Sequence, residues 1–268
     1  MKRKILGALV ASVLAIPGCF GQGLCPPCGQ TETTFCDNLT LDDGTNICYE
    51  YSPGNSDLPT IVVVHGWNGS YLDAYRAFPK GDFPVLTFSL PGHYCSQKAK
   101  LHSIELGVQT LEKLLETNND KISDDYLLAG YSLGGMVVAK YFAEHPAEKI
   151  GAIIVSSQDV SPEGPSLGIF NFIGGVSALF LNEPHLREYM ASVKNFYVRD
   201  ELKDTSNNWL IFSGRYDNVI PNTRDMADNL GERARFFELN SGHILQAENF
   251  AEINRIIKEN LGFLRRGN

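Results

Sequence analysis

The stretch Leu127–Pro146, "LLAGYSLGGMVVAKYFAEHP", holds one serine between two glycines at fixed spacing. An apolar run leads into Gly130-Tyr131-Ser132-Leu133-Gly134, and a helix-like apolar pattern leads out of it. A plain turn is made as readily with Asn, Asp or more glycine, so Ser132 is either a turn residue or a nucleophile. In strand–turn–helix context G-x-S-x-G is a nucleophile elbow, a sharp turn that lifts the serine clear of the backbone in a strained conformation. A side chain at Gly130 or Gly134 would collide with the neighbouring strand or helix. The helix that follows aims its first N–H groups at the place where negative charge develops.

A hydroxyl needs a base to take its proton, and histidine suits because its pKa lies near working pH. Six histidines compete: His65, His93, His102, His145, His185 and His243. His243, in "LNSGHILQ", follows the last expected strand and precedes the last helix. A parallel sheet gathers the C-terminal ends of its strands along one edge, which puts that loop beside Ser132. Asp217, in "LIFSGRYDNVIP", follows the preceding strand on the same edge and is the expected third group. Asp159, in "SSQDVSP", also follows a strand and is the alternative acid. The chain order Ser132, Asp217, His243 is the one this elbow requires. His65 reads as holding the loop after its strand, and His93 as structural or lining a pocket. His102, His145 and His185 read as surface residues on helices.

Outward from the elbow, strands and helices alternate. Strand runs are expected at 60–65, 85–89, 125–131, 150–155, 209–212 and 235–239, and "FCDNLTLDDGTNICYEYSPG" reads as a hairpin around Asp43-Gly44. Ile104, Val108, Leu111 and Leu115 fall on one helical face, and Phe250, Ile253, Ile257, Leu261 and Leu264 form another stripe. The order implies an α/β fold with a mainly parallel sheet covered by helices on both faces. Residues 162–205 break the rhythm with helical apolar patterns and no strand, and read as a lid or as extra core helices.

Together these features resemble the α/β-hydrolase superfamily over about residues 35–265. "HGWNG" after the first long strand resembles that family's oxyanion segment, which implies an oxyanion hole of the Trp67 and Leu133 N–H groups. "FSLPGHYCSQ" is similar to the family's D-x-P-G-x-G-x-S loop, with Ser89 in place of the acid and Tyr94 in place of a glycine. "GRYDNVIP" and "SGH" match its acid and histidine loops. The resemblance implies an α/β-hydrolase fold with a helical lid and acyl transfer by Ser132, Asp217 and His243, without cofactor or metal.

At 268 residues the chain suits one or two domains of about 150 residues each, and 43% hydrophobic content supports a large core. A net charge of −8 disfavours nucleic acid and basic-patch docking on an anionic surface. The start, "MKRKILGALVASVLAIPGC", places three cations before an apolar run too short for a stable span and reads as an export signal over 1–18. "AIPGC" resembles the lipobox of bacterial lipoproteins, which implies lipidation of Cys19 and anchoring at the cell envelope; ordinary secretion is the alternative. Residues 19–34 read as a Cys/Pro/Gly-rich tether before a hydrolase domain at 35–268.

Export favours disulfides. The expected candidates are Cys36 with Cys48 across the hairpin and Cys25 with Cys28, with Cys95 left as a buried filler; "CPPC" also has redox or half-zinc-site spacing. The expected activity is hydrolysis of carboxylic esters, with lipid-like substrates favoured by the apolar lid segment "IFNFIGGVSALFL" and by a membrane anchor. An amide-cleaving peptidase, with Glu183, Glu188, Asp200 and Glu201 as amine-catching acids, and a non-catalytic tethered binding protein are the competing expectations.

Overall fold

A computed structural model of the protein describes residues 36–161 and 184–265. The expected signal segment 1–18, the tether with Cys19, Cys25 and Cys28, and the first half of the expected lid, 162–183, lie outside the described residues.

Eight strands form one sheet: β1 (Cys36–Thr40), β2 (Asn46–Ser52), β3 (Ile61–Val64), β4 (Val85–Phe88), β5 (Leu127–Tyr131), β6 (Gly151–Val155), β7 (Trp209–Gly214) and β8 (Ala234–Leu239). Their spatial order is β1-β2-β4-β3-β5-β6-β7-β8. β1–β2 and β2–β4 are antiparallel, and every pair from β4 through β3 to β8 is parallel. The hairpin turns at Asp43-Gly44 as expected, with the Asp43 carboxylate accepting from Thr45 N at 2.9 Å.

The helices are α1 (Ala74–Ala77), α2 (Ile104–Thr117), α3 (Leu133–Glu144), α4 (Pro184–Val193), α5 (Thr223–Leu230) and α6 (Ala247–Glu259), with a further turn at Leu261–Leu264. Strand side chains alternate between two cores, as a period of two dictates. Val62, Val64, Leu128, Ile154, Trp209 and Ile211 pack with α2, α3, α4 and α5 on one face. Ile61, Val63, Ala129, Ile153, Leu210 and Phe212 pack with α1 and α6 on the other. The expected C-terminal stripe is broken at Asn260, whose side-chain amide donates to Ile256 O at 2.7 Å and closes α6. α2 starts at Ser103, whose hydroxyl accepts from Leu106 N. It crosses α3 so closely that a Cβ on Gly107 would sit 2.8 Å from Val137 Cγ2.

The register corrects one cysteine expectation. Cys36 pairs with Glu50 and Cys48 with Asn38, so the two cysteines are diagonal rather than facing. Diagonal positions on paired strands lie about 7–8 Å apart, beyond ordinary disulfide reach. The Cys48 thiol donates instead to Asn38 Oδ1 at 3.9 Å and lies beside Cys95, which is therefore not the lone filler expected.

α3 is held against the sheet by missing side chains. A Cβ on Gly130 would run into the Gly134 carbonyl, and one on Gly134 would run into the carbonyl oxygen of Val64 in β3. Both obstacles are backbone, so only movement of α3 relieves them. Gly134→Ala is expected to lower stability by at least about 1–3 kcal/mol, the usual cost of overpacking, read as a fall in the urea midpoint at unchanged slope.

Candidate active site

β5 delivers the chain into the elbow at Tyr131, and α3 begins one residue after Ser132. Ser132 has φ 51° and ψ −117°, a left-handed conformation that non-glycine residues seldom adopt. Its N–H donates to Val155 O at 2.9 Å, which ties the turn to β6. The Ser132 side chain therefore stands at the C-terminal edge of the sheet. Leu133, the first residue of α3, has no carbonyl four residues behind it within the helix, so its N–H is left for another acceptor.

Two loops bring the partners. Asp217 follows β7 and His243 follows β8. The loops nest on each other: Arg215 N donates to Leu239 O and Tyr216 N to Ser241 O, both at 2.9 Å. A Cβ on Gly214 would strike Gly242 O. Ser132 Oγ lies 3.0 Å from His243 Nε2, and His243 Nδ1 lies 2.9 Å from Asp217 Oδ2. The other Asp217 oxygen accepts from Val219 N and Ile220 N, each at 2.9 Å. With its carboxylate so held, Asp217 favours Nδ1–H on the imidazole and leaves Nε2 to accept from Ser132. The Asp217 side chain is almost fully buried while His243 keeps 18% of its own exposed.

Asp159, the alternative acid, is not part of this chain. It is fully buried, and both its oxygens are taken by Arg199 Nε and Nη2, at 3.0 and 2.8 Å.

The sequence assigns Tyr131 nothing beyond its place in the pentapeptide. Its hydroxyl donates to His243 O, and its ring stacks on the imidazole at 5.7 Å. Tyr131 thus fixes both the backbone and the plane of the histidine from beneath.

The HG segment is built from the opposite side. His65 Nε2 accepts from Leu90 N at 2.9 Å, so its proton is on Nδ1, which donates to Gly66 O at 2.7 Å. This matches the expected structural role. Trp67 follows, with its indole N–H donating to Leu186 O of α4 at 3.1 Å. Of the two departures in the loop after β4, Ser89 has a local reason and Tyr94 keeps the backbone of a glycine. Ser89 Oγ accepts from Tyr71 N at 3.1 Å, and Tyr94 sits at φ 50°, a left-handed position that glycine takes without strain.

The expectation of surface positions for His102 and His185 is wrong; both are buried. His65, His93, His185 and His102 form a chain of ring contacts at 5.0, 5.5 and 5.3 Å, closed by Tyr189. His102 Nδ1 donates to Glu188 Oε2 at 2.7 Å. This cluster seats α4 over the HG segment and the loop after β4. His145 alone of the three stays partly exposed, stacked on Tyr141.

Beside the site, on the α1/α6 face of the sheet, lies a cavity of about 380 Å³ lined by Gly66, Trp67, Tyr131, Phe78, Ile244 and Phe250 among others. Among the described residues no group of His, Cys, Asp and Glu is arranged to hold a metal ion, and no helix is long and apolar enough to cross a membrane.

The strand order, the elbow and the Ser132, Asp217 and His243 positions define an α/β-hydrolase fold. The model of the alpha/beta hydrolase fold family matches residues 59–171. A putative lipase from Acinetobacter baumannii AYE superposes with a TM-score of 0.68 at 20% identity, covering 85% of this chain and 91% of that one. A thermophilic esterase from Thermogutta terrifontis does so with a TM-score of 0.70 at 17% identity, covering 86% and 99%. In sequence, the chain is 32% identical over 104 residues to a 2-succinyl-6-hydroxy-2,4-cyclohexadiene-1-carboxylate synthase from an Enterobacter species, strain 638. That match spans 38% of this chain and 38% of the relative.

Burial holds the His65 ring below the ordinary histidine value of 6.5. Burial, with His65 and His185 close by, holds His93 well below it. The unfolded chain takes up protons near pH 6.5 while the folded one resists, so stability is full above that value and falls as pH drops below it. Urea midpoints are expected to decline from about pH 7 to about pH 5, and His93→Asn to flatten that decline.

Proposed function

We propose that the protein is a serine hydrolase of carboxylic esters, with a lipid-like acyl group as the favoured substrate. The observation that carries this reading is the unbroken chain from Ser132 Oγ to His243 Nε2 at 3.0 Å and from His243 Nδ1 to Asp217 Oδ2 at 2.9 Å. In this reading His243 takes the Ser132 proton as the oxygen attacks the ester carbonyl, and Asp217 holds the imidazole and stabilises its cation. The tetrahedral oxyanion is received by the N–H groups of Trp67 and Leu133, each worth about 2.7–4 kcal/mol by the measure of donor losses in other enzymes. His243 then protonates the departing alcohol, and water releases the acyl group by the same route. Every group in this sequence belongs to the chain itself.

Of the acids the peptidase alternative relies on, two are already engaged, while Glu201 is exposed. Glu188 is engaged by His102, and Asp200 by Lys203 and Tyr197; Glu183 lies outside the described residues. The synthase named among the curated relatives gives a second reading, carried by the 32% identity over 104 residues. Export, with Cys19 lipidated and the enzyme held at the cell envelope, completes the proposal and rests on the charged and apolar pattern of residues 1–19.

Nitrophenyl esters of increasing acyl length are expected to be hydrolysed with a preference for medium or long chains, and an aminoacyl-nitroanilide to be left intact. Ser132→Ala and Asp217→Asn are each expected to lower kcat about 10⁴-fold or more, and Ser132→Ala to abolish labelling by a fluorophosphonate. Folded wild-type protein that takes no label and cleaves no ester would overturn the hydrolase reading and favour the synthase or a binding role.

A further inference from the structure

Cys48 lies in the middle of β2, and Cys95 lies in the loop that follows β4. That loop turns back along β2 and is fastened to it around both cysteines. Ser89 N donates to Cys48 O at 2.9 Å, Cys48 N to Ser96 Oγ at 3.0 Å, and Gln97 N to Asn46 O at 2.8 Å. Ser96 Oγ in turn donates to Ser89 O at 2.6 Å. The backbone beside each sulfur is thus fixed, and the two thiols are close enough to share a hydrogen bond. Cys48 is buried while Cys95 is partly exposed, so one thiol is reachable from solvent and the other waits behind it.

We propose that Cys48 and Cys95 are a disulfide-forming pair, oxidised by a small-molecule or protein disulfide, and that the bond staples the loop carrying His93 to β2. Cys95, as thiolate, attacks one sulfur of the incoming disulfide and releases the first thiolate. Cys48, as thiolate, then attacks the Cys95 sulfur of the mixed disulfide and expels the second. The two protons lost by the cysteines end on the two released thiolates. The pair is oxidised by two electrons, and one external disulfide is reduced to two thiols. The hydrogen bond from Cys95 draws the Cys48 thiol below its ordinary range, against the opposing effect of burial.

The bond would reach the HG segment. Leu90 N holds His65 Nε2, and His93 packs on the His65 ring. Both residues sit in the stretch between β4 and Cys95, so fixing Cys95 to β2 closes that stretch at its far end.

The test uses the full-length chain, incubated with oxidised glutathione, alkylated with iodoacetamide under native conditions and digested without reductant. The expected result is a Cys48–Cys95 linked peptide pair that dithiothreitol separates, with a thermal midpoint raised by about 5–10 °C over the reduced protein. Cys95→Ser is expected to abolish the link and the rise, and Cys36→Ser to leave both. Recovery of Cys48 linked to Cys36 or to any other cysteine, or Cys48 and Cys95 still reduced after oxidation, would sink the proposal. The wild-type peptide map and Cys36→Ser decide the matter even if Cys95→Ser does not fold.

Discussion

Ser132 is held in a backbone conformation it would not choose, and the rest of the site depends on that constraint. A left-handed serine costs of order 1–3 kcal/mol and persists only where the surroundings leave no other path. Here the path is set by α3 lying directly on the backbone of β3, an approach that glycine at 130 and 134 permits. The Ser132 N–H bond to β6 closes the third side. Because the turn is pinned by backbone on three sides, the hydroxyl has a fixed position against which the loops after β7 and β8 can be set. Those loops are interlocked with each other before either meets the serine. The alignment of Asp217 and His243 is therefore a property of the nested pair, and its distance to Ser132 a property of the sheet.

Much of this was legible in the residues. Buried strands announce themselves as short β-branched runs such as "TIVVV", and the order of strand and helix dictates a parallel sheet. Once the sheet is parallel, all loops that leave strand C-termini share an edge, and His243 and Asp217 are selected by where they fall in the order. Asp159 satisfied the same rule and failed for a reason no spacing reveals: Arg199, forty residues on, occupies both its oxygens.

Other features were hidden because they depend on which surfaces meet. His102 and His185 carry polar rings near helix starts, which in isolation read as solvent-facing. Their burial comes from α4 settling over the loop after β4, an interface with no periodic signal. The cysteines misled for a related reason. A hairpin turn fixes that two strands are adjacent, but an offset of two positions moved Cys36 out of line with Cys48, and the neighbour that replaced it comes from beyond the next strand pair. Tyr131 was visible as a letter in the elbow, while its grip on His243 needed the third dimension.

The buried imidazoles have an evolutionary consequence. His65, His93, His102 and His185 come from three separate segments, the loop after β4 supplying two of them, yet their rings pack on one another. Changes at these positions should be epistatic, since groups sharing one packed network rarely contribute independently. A helix transplanted from a relative in place of α4 would arrive without the partners for His93 and His102, so this part of the chain can diverge only as a block.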